Sequence, residues 1–569
     1  MKDKAFSHPL FEGSAFEWIW LGAVAAIGVL YVAWSSGVLG APVSLPYASG
    51  GDGIEMEVIV KSIIENGWFT VNPRLGTPGA LNWADYPVGN YFFHFLLLKI
   101  LGLMRPQYTW VLNTYYLFSS GLVAGSSFYV SRRIGFRRLV AAVISLLYCG
   151  LPYHFQRGMG HLPLGVYFVV PWSVWLAWRI DENKPRSWFS DVALAVFVGT
   201  CGVYYSYFSC VIWMIAGVTS WRRHAILMPL KRAIVCCVMA CTFVALCENA
   251  TIIERARFGP NTWAASRSPA ESELYGLKLA QLLLPVEGHR IAAFAKLRQT
   301  YDQTAPLNNE NGFATLGLVG AIGFLVLLGT IFLAGGESTF LASLSRFNAA
   351  CVLLGTIGGL GAMIAMTISP MIRCYNRISI FIAFLALLAA GELLNRVWTK
   401  LEANGKQVVA AALVAVVGYF GALDETSRIF KFDTKYNAYA FAAQKKLFSK
   451  MESALPVGSR VFELPYFPFP ETPPMFSLPD YELATPYLFT DHLRFTYAAV
   501  KGRFLSDWLA SLAALPFDDM SRTLKANDFG AVLVNRKGYA DHGNGIEHEL
   551  SARLGPPIVR DDTWMLYKL

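Results

Sequence analysis

Charge is what this sequence has least of. Only 15% of its 569 residues are Asp, Glu, Lys or Arg, while 54% are hydrophobic and 14% aromatic. Soluble domains carry roughly 25% charged residues, so an ordinary soluble protein is excluded and a polytopic membrane protein indicated. The chain also lacks a P-loop and the HExxH, GxSxG and GxGxxG motifs. That absence argues against the common nucleotide-, zinc- and dinucleotide-dependent enzymes. No CxxC pair has metal-site spacing, and none of the nine cysteines follows Cys374. The C-terminal part therefore has no disulfide, whichever compartment it occupies. Cys236, Cys237 and Cys241 read as small apolar helix residues.

What is present is a series of apolar runs separated by short basic clusters. The net charge of +9 is concentrated in those clusters, which is how membrane helices are oriented, so no nucleic-acid partner is expected. The run at 18–38 is too long for the apolar core of a cleavable signal. Lys2 and Lys4 before it place the N-terminus in the cytoplasm. The run at 88–103 is short for a span of roughly 20 residues and contains Lys99. Were it to cross, Arg132, Arg133, Arg137 and Arg138 would emerge outside. It is expected to lie in the outer interface, with Lys99 snorkelling.

Further crossings are expected at 108–130, 139–151 and 163–178, in a hairpin turning near 204–206, and at 233–246, 316–333, 349–368, 378–394 and 408–420. With the first, these make about 11 transmembrane helices. Residues 1–423 then form a membrane domain with outer loops 39–107 and 248–315, in which 270–284 has the spacing of a surface helix. Residues 424–569 form an extracytoplasmic α/β domain. It has helices over 439–455 and 501–515, strands over 459–464, 531–535 and 564–568, and a surface loop at 465–474.

Chemistry-bearing residues gather in the outer turns. Ser49-Gly50-Gly51-Asp52-Gly53-Ile54-Glu55 puts a carboxylate on a glycine-rich turn able to approach a ligand closely. A plain turn is the alternative use of such residues. Arg373 and Arg377 stand four apart in a short outer turn. They would share a face if the following helix began there, and two guanidinium groups suit a phosphate. His154, Arg157 and His161 form a second basic patch. Their spacing and the absence of a neighbouring acid argue against a metal. Arg255, Arg257, His289 and Arg290 are loop candidates for substrate contact, each also explicable as solvated surface.

With these residues placed, the chain resembles the GT-C superfamily of polytopic glycosyltransferases, most closely its protein mannosyltransferase and aminoarabinose transferase branch. Asp52 is similar to the acidic residue of that family's first outer loop. Asp85-Tyr86-Pro87-Val88 resembles the start of its juxtamembrane helix, and Arg132-Arg133-Ile134-Gly135-Phe136-Arg137-Arg138 the basic turn closing the next span. Two features differ: the family's adjacent Asp-Glu pair is spread over Asp52 to Glu55, and its Pro-Pro-Leu helix start is Tyr86-Pro87-Val88 here.

The resemblance implies a bacterial inner-membrane enzyme. It would transfer a sugar from a polyprenyl-phosphate-linked donor to a glycan or lipid acceptor on the periplasmic face. Asp52 would be the general base, with Arg373 and Arg377 on the departing phosphate and Glu55, His154, Arg157 and His161 as further substrate contacts. No cofactor is expected; a divalent metal on Asp52 and Glu55, as in the oligosaccharyltransferase branch, is the disfavoured variant. The rival readings are a flippase for a lipid-linked sugar and a scaffold of envelope assembly.

Overall fold

The computed structural model describes residues 15–184, 188–332 and 339–569. Lys2, Lys4 and the last residue of the run at 316–333 lie outside them. The first long helix, α1 (Ala15–Ser35), is followed by α2 (Asp52–Asn66) in the stretch expected as the first outer loop. An antiparallel pair comes next, β1 (Val71–Asn72) with β2 (Leu81–Asn82). The run at 88–103 forms α3 (Phe92–Met104), where the Lys99 ammonium sits 5.7 Å from the centre of the Trp68 ring.

The chain continues through α4 (Tyr108–Ile134), α5 (Arg138–Cys149), two short helices α6 (Pro152–Arg157) and α7 (Leu162–Gly165), and α8 (Val169–Asp181). Helices α9 (Trp188–Gly199), α10 (Val203–His224) and α11 (Met228–Cys247) follow. The expected hairpin turns at 200–202 rather than 204–206. Gly202 holds φ 120° there, a conformation closed to residues with a Cβ, and Tyr204 is already helical.

The stretch expected as the second outer loop contains α12 (Asn249–Phe258), α13 (Glu271–Leu274), α14 (Leu279–Leu283) and α15 (Ala292–Thr304). The helix expected over 270–284 is broken because Leu277 leaves it to bridge to Thr356. Beyond lie α16 (Gly317–Phe332), α17 (Thr339–Gly355), α18 (Leu360–Thr367), α19 (Ser379–Ala403) and α20 (Gln407–Glu425). The run at 349–368 is likewise divided, between α17 and α18, by a turn with Gly358 at φ 70°.

Among the described residues six helical stretches are long and apolar enough to cross a membrane: Ala15–Ser35, Arg138–Arg157, Val203–His224, Met228–Cys247, Tyr375–Ala403 and Gln407–Glu425. Four further apolar helices are shorter.

Small residues let these helices approach closely, as apolar surroundings require. At Gly323 on α16 an added Cβ would overlap the Ala386 carbonyl of α19. Three buried carboxylates are paired with arginines. Glu17 meets Arg132 at 2.7 Å and Arg138 at 2.8 Å, Asp181 meets Arg346 at 2.6 Å and Arg223 at 2.8 Å, and Asp191 meets Arg232 at 2.7 Å and Arg179 at 3.2 Å. The basic clusters that stand out in the sequence thus also staple helix ends together.

After α21 (Thr434–Ser453), strands β3 (Arg460–Leu464), β4 (Arg494–Phe495), β5 (Phe529–Asn535), β6 (Val559–Arg560) and β7 (Trp564–Lys568) make one mixed sheet in the order β4-β3-β5-β7-β6. Strand alternation separates two cores. Ala531, Leu533, Trp564 and Leu566 join the large core that includes the membrane helices. Val532, Val534, Met565 and Tyr567 face a second one with helices α23 (Phe504–Ala513), α24 (Phe517–Ala526) and α25 (Asn544–Leu554). A short helix, α22 (Thr485–Phe489), lies against α2, where the Lys61 ammonium donates to the carbonyls of Tyr487, Leu488 and Thr490. Residues 465–474 are not the surface loop expected: Phe467 and Phe469 are buried. Prolines keep the segment out of the sheet, while its aromatic residues still require cover.

Candidate active site

Asp52 is the first residue of α2. The turn before it has Gly50 at φ 117° and Gly51 at φ 51°, so the tight turn expected from the glycines forms. The Asp52 carboxylate is half-exposed, and its Oδ2 lies 3.4 Å from His161 Nε2. Burial of neighbouring surface raises its pKa above the ordinary 3.8, Glu310 and Glu471 push the same way, and Arg377 and Arg157 oppose them. His161, between α6 and α7, is driven down to about 3 by desolvation and then by Arg157 and Arg377. It is a neutral neighbour of Asp52 at pH 7. One turn along α2, desolvation and the Asp52 charge hold the Glu55 carboxyl well above the usual range.

Arg157 ends α6 and is buried. Its guanidinium donates to Glu310 Oε2 at 2.8 Å and lies 5.1 Å from the centre of the Tyr153 ring. Desolvation alone would raise Glu310, but Arg157 and Arg377 bring it down to about 2, so it is a carboxylate. Arg377 lies in a 3-10 turn, Tyr375–Ile378, that leads into α19, and is 7% exposed. Its guanidinium stands 4.3 Å from the centre of the Tyr204 ring. No carboxylate of the described residues comes within 4.0 Å of it, and its Nε has no hydrogen-bond partner. Glu310 and Asp52 feel its charge without touching it, and a buried cation with no carboxylate in contact is suited to a ligand.

Arg373 and Arg377 do not share a helix face, because Cys374, at φ −91° and ψ 74°, turns the chain between them. Arg373 pairs instead with Glu271 at 2.6 Å and with Glu471 at 3.2 Å. Glu471 is also gripped by Arg267 at 2.7 and 2.9 Å and accepts from the Tyr86 hydroxyl at 3.3 Å. His154 is buried. Its Nδ1 donates to the Gly165 carbonyl at 3.0 Å and its ring stacks on Tyr116. His289 and Arg290 tie the second outer stretch to the end of α20 through Asp424 at 3.2 Å and Thr426 at 3.0 Å. Arg255 and Arg257 are exposed on α12.

The fold thus brings Asp52, Glu55, His161, Arg157 and Arg377 into one electrostatic neighbourhood and leaves His154, Arg255, Arg257, His289 and Arg290 outside it. Sequence reasoning overlooked Glu310, Tyr204 and Glu471 as site residues. The one sign of Glu471 was its being the single charge in 465–476. Among the described residues no group of three or more His, Cys, Asp or Glu is arranged to hold a metal ion. Beside the site, a cavity of about 330 Å³ is lined by Trp68, Phe69, Trp83, Tyr86, Phe92 and Glu248, among others. Tyr86 links it to Glu471.

A family model described as "Domain of unknown function (DUF6311)" matches residues 93–380. No curated protein matches the chain. Among solved structures it resembles ArnT from Cupriavidus metallidurans. In the form bound to undecaprenyl phosphate the likeness is 12% identity and TM-score 0.51 over 98% of each chain. For apo ArnT the values are 14% and 0.52, over 97% of this chain and 98% of that one. A looser likeness, at 12% identity and TM-score 0.45, is to the oligosaccharyltransferase AglB from Archaeoglobus fulgidus, covering 92% of this chain and 70% of that one. The ArnT likeness shows that the two proteins share a fold.

Proposed function

We propose that this chain, which belongs to the family described as "Domain of unknown function (DUF6311)", is a glycosyltransferase of the bacterial inner membrane. It moves a sugar from a polyprenyl-phosphate-linked donor to a glycan or lipid acceptor on the periplasmic face. In this reading about eleven segments cross the bilayer, the N-terminus is cytoplasmic, and residues 424–569 form a periplasmic domain. The observation that carries the reading is the buried, carboxylate-free guanidinium of Arg377 in one electrostatic neighbourhood with the raised carboxylate of Asp52. One binds an anion and the other accepts a proton.

Asp52 takes the proton of the acceptor hydroxyl as its oxygen attacks the anomeric carbon. The bond from that carbon to the phosphate oxygen breaks, and the electron pair leaves with the polyprenyl phosphate. Arg377, with Arg157 behind it, stabilises the charge gathering there, in the manner of a preorganised anion site. A carboxylate with a raised pKa is a better base than an ordinary one. The apolar wall of the adjoining cavity offers cover for a lipid chain.

The test is Asp52→Asn in cells, at equal membrane levels, with surface-glycan mass and the lipid-linked sugar pool as readouts. Loss of one modification with accumulation of the donor is expected, since a general base contributes about 10²–10⁴-fold. Unchanged modification would refute the role of Asp52.

A further inference from the structure

Beside Arg377 the site is closed by a segment nearly a hundred residues further along the chain. Glu471 belongs to the proline-rich segment that follows β3, yet its carboxylate stands among three parts of the membrane-helix region. Arg267 and Arg373 come from the second outer stretch and from the turn before α19, and Tyr86 from the first outer loop. The ion pairs run in series, Glu271 to Arg373 to Glu471 to Arg267. Arg373 is four residues before Arg377 on the same tight turn, so whatever fixes Arg373 restrains Arg377 as well.

The segment carrying Glu471 is itself held firmly. Phe467 and Phe469 are each 3% exposed. The Lys501 ammonium donates to the Glu471 carbonyl at 2.9 Å, and the Thr472 N–H donates to Asp480 at 2.9 Å. Glu471 has φ 51°, in the left-handed region that disfavours a residue with a Cβ and persists only where surrounding contacts over-determine it. A mere surface ion pair would not require such a conformation.

We propose that Glu471 is a positioning residue of the site: by holding Arg373 and Arg267 it fixes the turn that presents Arg377 to the donor phosphate. The C-terminal part is then a working component of the site, not an appended module. The proposal rests on reading Arg377 as the phosphate contact.

The experiment uses the full-length protein in nanodiscs, with undecaprenyl phosphate as the probe. Wild type is expected to bind it, and Glu471→Gln to bind at least about tenfold more weakly, the effect of a lost charge-assisted contact. In turnover, the donor KM of Glu471→Gln should rise more than its kcat falls, and Glu471→Asp should recover part of the loss. Should Glu471→Gln fail to fold, Tyr86→Phe, which removes one hydroxyl from the carboxylate, carries the test with an expected few-fold weakening. Equal binding by wild type and variant overturns the positioning role and leaves the donor site standing. Tighter binding by Glu471→Gln also overturns it, because the carboxylate would then be competing with phosphate. No binding by wild type overturns the donor-site reading itself.

Discussion

Arg377 and Arg157 are both buried arginines, but only Arg157 has a carboxylate partner, and the two should respond oppositely to removal of their charge. In Arg377→Met a buried cation with no carboxylate in contact gives way to an apolar chain of similar length. Replacing buried charge in this way is neutral or stabilises by about 1–4 kcal/mol. The lost stacking on Tyr204 gives back about 0.5–2 kcal/mol. The melting temperature should therefore hold or rise. In Arg157→Met the Glu310 carboxylate, whose pKa is held at about 2, loses its partner. Breaking a buried pair costs about 3–5 kcal/mol, and the 26% exposure of Glu310 puts this one at the low end.

Ligand binding discriminates further. Two charge-assisted hydrogen bonds from Arg377 to a phosphate are worth about 1.5–3 kcal/mol each, so their loss weakens binding by about 10²–10⁴-fold. A thiol-reactive dye can report unfolding through the buried Cys149, Cys201, Cys351 and Cys374. Undecaprenyl phosphate at a hundred times its Kd should stabilise wild type by about 2.7 kcal/mol and leave Arg377→Met unmoved. If Arg377→Met melts as early as Arg157→Met, or keeps its ligand shift, Arg377 is structural and the reasoning fails.

Two further outcomes follow from the site and the packing. Asp52 must be ionised to act and its pKa is raised, so activity should fall with decreasing pH in a window above 3.8. Glu310→Gln removes a negative charge that raises Asp52, and the acid limb of kcat/KM against pH should move down; a limb that stays or moves up contradicts the electrostatics. Gly323→Ala forces a methyl group against the Ala386 carbonyl where α16 meets α19. Overpacking of that kind costs about 1–3 kcal/mol, read as a lower melting temperature with unchanged affinity for undecaprenyl phosphate in the protein that remains folded.

Sequence and tertiary structure divide the explanation along physical lines. Apolar runs and basic clusters are local, one-dimensional signals, and they suffice for the helical, apolar character, the short helix within 88–104 and the turn carrying Asp52. Glycines at φ 117° and 51° before Asp52 belong to the same class, since backbone freedom is a property of the residue. Helix continuity was less legible. The runs at 270–284 and 349–368 kept an apolar pattern through a break, where the Leu277 backbone exchanges hydrogen bonds with the Gly355 carbonyl and the Ile357 N–H.

The site depended on the third dimension throughout. His154 and Arg157 lie three residues apart, yet one packs into the core and the other faces Glu310 from across the fold. Arg373 and Arg377 looked interchangeable, and only the arrival of Glu271 and Glu471 put one in direct ion pairs while the other touches no carboxylate of the described residues. Which buried charge is compensated is decided by long-range pairing, and periodicity along a chain carries no information about that.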